Sequence, residues 1–396
     1  MKQLKTSYDI IGDSLCTGCF GCQDSCPTGA IKLALNAEGF YRPTTNRIAC
    51  KSCLACCQHC PVIKRRSNEI QSGGVGPIAY AAWATSEAER LSSSSGGVFP
   101  ILAKAVITSG GVVAGCIWGE EGAAKHILAY TFDEVEKMRG SKYVQSNVNN
   151  VYGEIDKHLR TSDTPVLFSG TPCQVAAMAE EIKPIDRKRV LLVELFCHGV
   201  TSLRAFHNYL EEQFQGESIS SFTFRDKTNG LRSVRAASTS GHVFLVNTDD
   251  DIFFRGFMSH LYIMESCHKC IFAKTPKAAD ISIGDFWGCP PEWCDKRGVS
   301  VVLAHTTYGF IHLENLSQRG MLELRQTQLK TATEQNQHAV TGLHSINRNR
   351  AAFLSQTIWG GVFKKLLSRY AYSALRRMRM TLSPYVRAVA TWYFAK

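Results

Sequence analysis

Two cysteine runs near the N-terminus constrain this chain more than any other part of its sequence. Each run has four cysteines separated by two, two and three residues, and each ends in Cys-Pro. The runs are Cys16, Cys19, Cys22 and Cys26, followed by Pro27, and Cys50, Cys53, Cys56 and Cys60, followed by Pro61. Two-residue gaps let successive thiolates bind successive corners of one iron–sulfur cluster. We therefore predict that residues 16–61 fold around two [4Fe–4S] clusters, with Cys57 left over as a packed thiol.

The assignment of ligands to the two clusters follows from the same spacing. In two-cluster ferredoxins of the bacterial type, the fourth cysteine of each run ligates the other cluster. One cluster would be held by Cys16, Cys19, Cys22 and Cys60, and the other by Cys50, Cys53, Cys56 and Cys26. Each proline is expected to stop the chain from continuing as a helix after the last ligand.

Two other uses of these cysteines are a disulfide framework and zinc knuckles. Disulfides are typical of secreted proteins, and the N-terminus Met1-Lys-Gln-Leu-Lys-Thr lacks the apolar core of a signal peptide. Zinc sites rarely have three cysteines at two-residue spacing before Cys-Pro, and here that pattern occurs twice. The doubled spacing therefore favours the clusters.

Composition points to a chain of several domains with metal chemistry. The 396 residues, 44% of them hydrophobic, allow about two or three globular domains. Sixteen cysteines in a chain without a signal sequence suggest a reducing compartment. No apolar run is long enough to span a membrane, so we expect a cytoplasmic protein.

The net charge of +11 is concentrated in the C-terminal segment. After Glu334 the sequence has ten basic residues and no acidic residue. A helix over residues 363–378 would carry apolar side chains on one face and most cations on the other. Such helices bind anionic membranes, so we predict peripheral contact with the inner face of the membrane. The alternative is a helix packed on its own domain, and nothing else in the chain suggests a nucleic-acid partner.

The middle of the chain alternates between buried strands and helices, which predicts an α/β sheet with ligands at its strand ends. The strand Ile78–Trp83 is followed by the loop Ser94–Gly97 and a helix. This arrangement is suited to phosphate binding, because free backbone N–H groups and the helix dipole converge there, but Ser-rich loops are more often solvated turns. In the segment 141–146, Lys142 is suited to face a phosphate or a flavin carbonyl, and Tyr143 to stack on a ring. Both residues also fit an exposed loop.

A further Cys-x2-Cys pair, Cys267 and Cys270, needs two more ligands to hold a metal. One candidate pair follows predicted strands and would complete a third iron–sulfur cluster, and the other lies downstream and would complete a zinc ribbon. These pairs are Cys173 with Cys197 and Cys289 with Cys294, respectively. Zinc ribbons usually have two-residue spacing in both halves, whereas the downstream pair has four intervening residues. The residues alone leave both options open.

Taken as a set, these motifs resemble the family of coenzyme F-420 hydrogenase/dehydrogenase β-subunits, with an N-terminal two-cluster ferredoxin module. The resemblance extends from about residue 10 to about residue 350 and depends on the set, since no single later motif is specific. Beyond the paired runs, the motifs are Ser94–Gly97, Gly140–Ser146, Gly170–Cys173, Phe196–Gly199, Cys267-x2-Cys270 and Ala279–Asp285.

The resemblance implies FAD and an additional [4Fe–4S] cluster beside it. Carried across by position, the residues that contact FAD are Ser94, Ser95, Gly96, Gly97, Lys142, Tyr143, Gln145 and Ser146. Those that match the family's cluster cysteines are Cys173, Cys267 and Cys270. We choose Cys197 as the fourth ligand, with Cys289 as its competitor. His198, next to Cys197, is a candidate proton donor to a reduced substrate, although a histidine there is more often structural.

The implied function is that of a ferredoxin-linked iron–sulfur flavoenzyme. Electrons from a redox partner protein would pass through the clusters to FAD, which exchanges two electrons, as a hydride, with F-420 or another small molecule. The alternative is a non-catalytic electron-transfer subunit that docks to a partner enzyme. A third and weaker hypothesis is an accessory role in polysaccharide biosynthesis. It comes only from the proteins together with which bacterial relatives occur.

The expected fold class is α+β. A ferredoxin module is followed by an α/β flavin-binding domain with a mixed sheet and by a helical tail. The predicted segments are the ferredoxin module 1–66, a linker 67–77, a flavin-binding part 78–160, a third-cluster part 161–350 and the basic tail 351–396.

Overall fold

The structure is a computed structural model that describes residues 5–67, 76–228, 233–342 and 345–358, without the side chains of residues 121 and 356–358. It is a mixed α+β fold with a large mixed sheet. The predicted linker 67–77 lies almost entirely outside the described residues, and the predicted tail helix over residues 363–378 lies wholly outside them.

Residues 5–67 form a cysteine-rich module with short elements. These are α1 (Ser7–Leu15), α2 (Gly21–Asp24), β1 (Ile31–Leu35), β2 (Tyr41–Thr45), α3 (Ala55–Gln58) and α4 (Pro61–Arg66). A capping box starts α1, in which the Thr6 N–H donates to Asp9 at 2.8 Å and the Thr6 hydroxyl accepts from the Asp9 N–H. The two strands pair antiparallel as a hairpin. The loops on either side of this hairpin carry the two cysteine runs.

The prediction that a proline stops the helix was wrong at Pro61. Pro61 is the first residue of α4. Proline favours this position because its missing N–H would have no helical partner there and its φ is already helical. At Pro27 the chain makes a turn, as predicted.

The rest of the described chain adds eleven strands. They are β3 (Ile78–Ala84), β4 (Val112–Trp118), β5 (Ala124–Ala129), β6 (Val166–Gly170), β7 (Val190–Leu195), β8 (Ile219–Asp226), β9 (Ser233–Ser238), β10 (Val243–Asn247), β11 (Ile281–Asp285), β12 (Ser300–Ala304) and β13 (Leu322–Thr327). β8, β9 and β10 form a small antiparallel sheet, and the other eight form one sheet in the order β13-β3-β12-β11-β7-β6-β4-β5.

Five strands of the large sheet run in one direction. β4, β6, β7 and β11 are parallel neighbours, and β3 shares their direction because two antiparallel pairings connect it to β11 through β12. Their carboxyl ends therefore lie on one edge of the sheet, which we call the carboxyl edge. Ser94–Gly97, Cys173 and Cys197 all follow strands that end there. Open α/β sheets bind ligands at this edge.

Helices cover both faces of the large sheet. The helices of this part of the chain are α5 (Glu87–Leu91), α6 (Val98–Thr108), α7 (Phe132–Met138), α8 (Val151–Thr161), α9 (Pro172–Glu181), α10 (Leu203–Phe214), α11 (Ile252–Met258), α12 (Thr307–Gln318), α13 (Leu329–Thr333), α14 (Gln337–Thr341) and α15 (Arg350–Ile358). Leu167 in β6 packs with α6, α7 and α12, whereas its neighbours Val166 and Phe168 pack with α8 and α9. Successive strand residues point to opposite faces, so the apolar run of β6 is buried on both sides.

The cysteine-rich module packs directly on the sheet domain. Phe20 lies in the core beneath α8 and α9. Both Arg65 guanidinium nitrogens donate to backbone carbonyls at 2.7 Å, in residues 274 and 276. Gln145 accepts from the Tyr41 N–H through its side-chain oxygen at 2.7 Å. These contacts position the first two cysteine runs against the sheet.

Five strands predicted from apolar runs are present as β3, β4, β6, β7 and β12. β13, which pairs with β3 at one edge of the sheet, has no apolar run that would predict it. Its sequence, Leu-Glu-Leu-Arg-Gln-Thr, is polar because an edge strand is solvated on one side. β5 and β9 were missed as well.

Candidate metal centres

The eight cysteines of the two runs line two cavities in the cysteine-rich module. The outer group is Cys26, Cys50, Cys53 and Cys56. The inner group is Cys16, Cys19, Cys22 and Cys60. Each group combines three cysteines of one run with the fourth cysteine of the other, which is the combination that the spacing predicts. That these groups ligate clusters stays a prediction.

The backbone around both groups suits thiolate ligands. Phe20 and Leu54, each following the second cysteine of its run, have positive φ angles of 71° and 63°. The two runs therefore make the same turn. Backbone N–H groups of residues 18 and 21 donate to the sulfurs of Cys16 and Cys19 and oppose the rise in pKa that burial causes. Hydrogen bonds of this kind stabilise cluster thiolates and raise cluster potentials.

A third set of four cysteines, the deep group, lies at the carboxyl edge. It consists of Cys173, Cys197, Cys267 and Cys270. Gly199, with a φ of 95°, turns the chain after Cys197 against Cys267, and a Cβ on Gly199 would lie 3.2 Å from the Cys267 Cβ. Burial and then the nearby thiolates of Cys267, Cys173 and Cys270 raise the pKa of Cys197 well above its ordinary value. Such mutually repelling thiolates favour a cationic metal centre.

The competing cysteines Cys289 and Cys294 lie elsewhere. Cys289 packs with β3, β12 and α13, whereas Cys267 packs with the aromatic core of α10 and α11. Burial and then Cys294 raise the pKa of Cys289 to about 12. Within the described residues, no three His, Cys, Asp or Glu side chains converge as ligands of one metal ion. Cys289 lies in a different core from Cys267.

The inner and deep groups are neighbours. The Cys173 thiolate adds to the effects of burial and of Cys60 that raise the pKa of Cys19. The buried phenol of Tyr152 lies 2.8 Å from the carbonyl oxygen of Cys19 and 3.3 Å from that of Gln174, so its O–H bridges the two loops. The outer, inner and deep groups therefore lie in series from the module surface towards the carboxyl edge.

The predicted flavin loop Ser94–Gly97 lies at the carboxyl edge between β3 and β12. The Gly96 N–H donates to the Ser300 hydroxyl at 2.9 Å, and a Cβ on Gly96 would lie 2.3 Å from the Ala82 carbonyl oxygen. Only glycine fits there. Gly97 is the N-cap of α6 and makes no side-chain cap, so the first N–H groups of the helix keep their capacity to bind an anion. Ser94 links this loop to the second predicted segment by accepting from the Ser141 N–H at 2.9 Å.

Lys142 is a half-buried cation held by backbone carbonyls. Its ammonium donates to the carbonyl oxygens of Met138, Arg139 and Gly140 at 3.0, 2.7 and 3.0 Å. Burial lowers the pKa of Lys142 to about 8. The side chain therefore closes the C-terminal end of α7 and presents a poorly solvated positive charge beside Cys116.

The other residues predicted to contact FAD already have protein partners. Tyr143 packs in the aromatic core near β8 and α11. Gln145 binds the cysteine-rich module through Tyr41, and Ser146 accepts from the Gln174 amide at 2.8 Å. The contact of these three residues with FAD stays a prediction. In the structure their side chains contact neighbouring parts of the protein.

His198, the residue after Cys197, packs against other aromatic rings. Its ring stacks on Trp287 with centroids 4.7 Å apart and meets His338 edge to face at 5.0 Å. Burial lowers the pKa of His198 to about 4, and the neighbouring histidines act in the same direction. A neutral imidazole at pH 7 is a weak proton donor, so the proposed role of His198 stays untested and has no support from its protonation.

One buried ion pair was missed by the sequence reasoning. The Lys277 ammonium lies 2.8 Å from the Glu194 carboxylate, with side-chain exposures of 4% and 3%. Ser282 donates to the same carboxylate at 2.7 Å. Glu194 interrupts the apolar run of β7, and this charge in a buried strand could have indicated an ion pair. Its partner Lys277 could not be identified, because it is distant in sequence. The pair lies beside Cys270, whose thiol pKa burial raises and Lys277 lowers.

Sequence comparisons relate parts of this chain to known proteins. Residues 163–330 match the family model that describes the C terminus of the beta subunit of coenzyme F-420 hydrogenase/dehydrogenase. The F subunit of the F(420)H(2) dehydrogenase of Methanosarcina mazei is 24% identical over 297 residues, which are 72% of this chain and 79% of that protein. The ferredoxin-type protein NapF of Haemophilus influenzae is 42% identical over 53 residues, 13% of this chain and 30% of that protein.

A solved structure is also similar. A chain of the F-420-reducing [NiFe] hydrogenase complex from Methanosarcina barkeri superposes with a TM-score of 0.47 at 20% identity, over 69% of this chain and 92% of that chain.

The sequence matches and the cysteines together indicate an iron–sulfur protein of the oxidoreductase class with a role in electron transfer. Over residues 163–330 the chain is similar to the β-subunits of coenzyme F-420 hydrogenase/dehydrogenase. In the part of the chain that the structure describes, no helix is both long and apolar enough to cross a membrane.

Proposed function

We propose that this protein is an iron–sulfur flavoenzyme that carries electrons between a redox partner protein and a small molecule. Three [4Fe–4S] clusters would occupy the outer, inner and deep groups, and FAD would bind at the carboxyl edge. The observation that carries the proposal is the series of three four-cysteine groups that leads to the edge where the Ser94–Gly97 loop and Lys142 lie.

The residues of the chain have distinct tasks in this proposal. Cysteine thiolates hold the clusters, and exposed Cys53 brings the outer cluster to the surface where a partner protein can approach. The N-terminus of α6 and the Lys142 charge bind phosphate or a reduced flavin ring. When bound, FAD supplies exchange between one-electron and two-electron chemistry, including hydride transfer to a substrate.

The substrate class follows from the named relatives. A subunit of an F(420)H(2) dehydrogenase resembles this chain, so F-420 is the first compound to test. Relatives on one fold use different substrates, and another small electron acceptor is the second choice.

A second candidate function is an electron-transfer subunit without catalysis of its own. It is favoured by the exposed outer group and by a relative that is named as a subunit. Protein reduced with dithionite, then freed of the reductant and incubated with F-420 without a partner, separates the two. Reduction of F-420 supports the enzyme, whereas reduced clusters and flavin that transfer nothing until a partner is added support the subunit.

The membrane contact predicted for the basic tail is a separate proposal. It rests on sequence, since ten cations and no acidic residue follow Glu334. The full chain should sediment with vesicles that contain anionic lipid, and less so at high salt. A chain ending at residue 358 should remain in the supernatant with its metal content unchanged, and equal binding by both would contradict the proposal.

A further inference from the structure

One buried arginine connects the inner group to the deep group. Arg42 lies in β2 of the cysteine-rich module, and its side chain is 7% exposed. Its Nη1 donates to the Cys16 carbonyl oxygen at 3.1 Å and lies 3.2 Å from the sulfur of Met264. Cys16 belongs to the inner group, and Met264 precedes the Cys267 turn of the deep group, whose Cys267 N–H donates to the Met264 carbonyl at 3.1 Å.

The charge of Arg42 is poorly neutralised by protein groups. Its single acidic partner within the described residues is Asp13, at 3.1 Å from Nε, and the Asp13 side chain is 65% exposed. Its other contacts are the Phe40 ring at 5.9 Å and the carbonyl and thioether already named. An arginine remains charged at all ordinary pH values. A buried charge interacts more strongly with other charges in the low-dielectric interior than an exposed charge does in water.

Both cysteine groups lie close to this charge. The Nη1 atom of Arg42 bonds the backbone of Cys16 in the inner group. The same atom contacts the thioether of Met264, whose carbonyl accepts from the Cys267 N–H of the deep group. One guanidinium is therefore in contact with the backbone turn of the inner group and with the residue that starts the turn of the deep group.

We propose that Arg42 sets the reduction potentials of the inner and deep clusters together. Reduction adds one electron, and hence one negative charge, to a cluster. The nearby cation stabilises that reduced state and raises the potential. Because both clusters would lie near the same cation, removal of its charge should lower both potentials together. This inference rests on the proposed function, since both groups must hold clusters.

The test is an anaerobic redox titration of the full chain followed by electron paramagnetic resonance. Arg42→Gln removes the charge and keeps a hydrogen-bond donor of similar reach. We expect two of the three midpoint potentials to fall by about 59 mV, which is a tenfold shift in a one-electron equilibrium. The third potential, that of the outer cluster, should stay unchanged. Arg42→Lys, which keeps the charge, should keep all three potentials.

Arg47 provides a matched control. It follows the same strand and pairs with Asp9 at 2.6 Å, but its side chain is 44% exposed. Solvent and salt screen an exposed charge, so Arg47→Gln should leave the inner and deep potentials unchanged.

Every outcome decides the matter. Unchanged potentials in Arg42→Gln would overturn the inference, as would equal shifts in Arg42→Lys. If Arg42→Gln assembles no clusters, Asp13→Asn decides the matter, because it removes the acidic partner and keeps Arg42. The inner and deep potentials should then rise, and unchanged potentials in Asp13→Asn would overturn the inference. A wild-type protein without iron would instead refute the proposed function, which the metal content of the unmutated chain decides separately.

Discussion

The cysteine-rich module and the deep group assemble four-cysteine sites in two different ways. In the module, all ligands come from residues 16–60 and two copies of one tight turn position them. In the deep group, the ligands come from the ends of β6 and β7 and from the segment before β11, strands that are adjacent in the sheet but distant in the chain. The first kind of site depends on local turns and the second on sheet order.

The outer group and the deep group also differ in their access to solvent. Cys53 of the outer group is exposed, whereas each cysteine of the deep group is half-buried. A cluster at the surface can exchange electrons with a protein, while a less accessible cluster can serve a bound molecule next to it. The comparison therefore predicts which changes affect one region and leave the other intact.

The largest expected effect is the loss of one whole cluster. Cys197→Ser should remove the deep cluster and leave the two module clusters, so the iron content falls from about twelve to about eight per chain. Elemental analysis after anaerobic reconstitution measures this.

Cys289→Ser is the matched control, because this cysteine lies in a different core and should be dispensable. About eight irons and one stoichiometric zinc in the unmutated protein would contradict the deep cluster and restore the zinc ribbon. Equal iron loss in both variants would make Cys289 a ligand.

The second effect concerns the flavin. Lys142→Ala removes a desolvated cation from the carboxyl edge, and we expect FAD to bind about tenfold more weakly, about 1.4 kcal/mol. FAD released on denaturation, per cluster, is the measurement. Lys137→Ala, on the exposed face of the same helix α7, should keep full occupancy. FMN, or no flavin at full cluster loading, would exclude the assignment.

The sequence predicted the module in more detail than the sheet domain. Spacing alone indicated the outer and inner groups, because each ligand lies within a few residues of the next. Strands buried on both faces, such as β6 and β7, were readable as apolar runs. The polar edge strand β13 was not, because its pairing with β3 joins segments more than two hundred residues apart in sequence.

The deep group and its supports were only partly readable. Cys267 and Cys270 were recognisable as ligands from their spacing, but their proximity to Cys197 depends on the order of strands in the sheet. Arg42 was not recognised, because the module strand that carries it looks solvated until the sheet domain covers it. Lys142 was predicted to contact a ligand. Its hydrogen bonds to three backbone carbonyls could not be predicted from the sequence.

The third effect is a loss of folding stability in the sheet domain. Lys277→Met leaves Glu194 buried without its cation, and breaking such a pair typically costs about 3–5 kcal/mol of folding free energy. Chemical denaturation of the sheet domain should show this loss. Adding Glu194→Gln to the same chain should restore most of it, because no buried charge remains unpaired. A double variant as unstable as the single variant would assign the loss to packing.

The fourth effect is a pH dependence of stability that originates in the core behind the deep group. Asp251 caps α11, with its carboxylate accepting from the Tyr209 hydroxyl and the Phe254 N–H, both at 2.6 Å. Burial raises its pKa from the ordinary 3.8 to about 6. The folded chain therefore binds this proton more tightly than the unfolded chain does, and the resulting stability is complete below about pH 4 and is lost as the pH rises through about 6.

Asp251→Asn should remove this dependence, because an amide does not titrate. About two pK units correspond to at most about 3 kcal/mol, and the bond from Tyr209 is weaker to an amide than to a carboxylate. Thermal unfolding between pH 5 and pH 7.5 measures it: the unmutated chain should lose stability over this range and the variant should lose less. Asp250→Asn, at the exposed neighbouring position, should behave like the unmutated chain. Parallel pH profiles for all three chains would contradict the prediction, because they would mean that Asp251 is already ionised in the folded protein. The core behind the deep group would then tolerate a charge as well as the solvated turns of the module do.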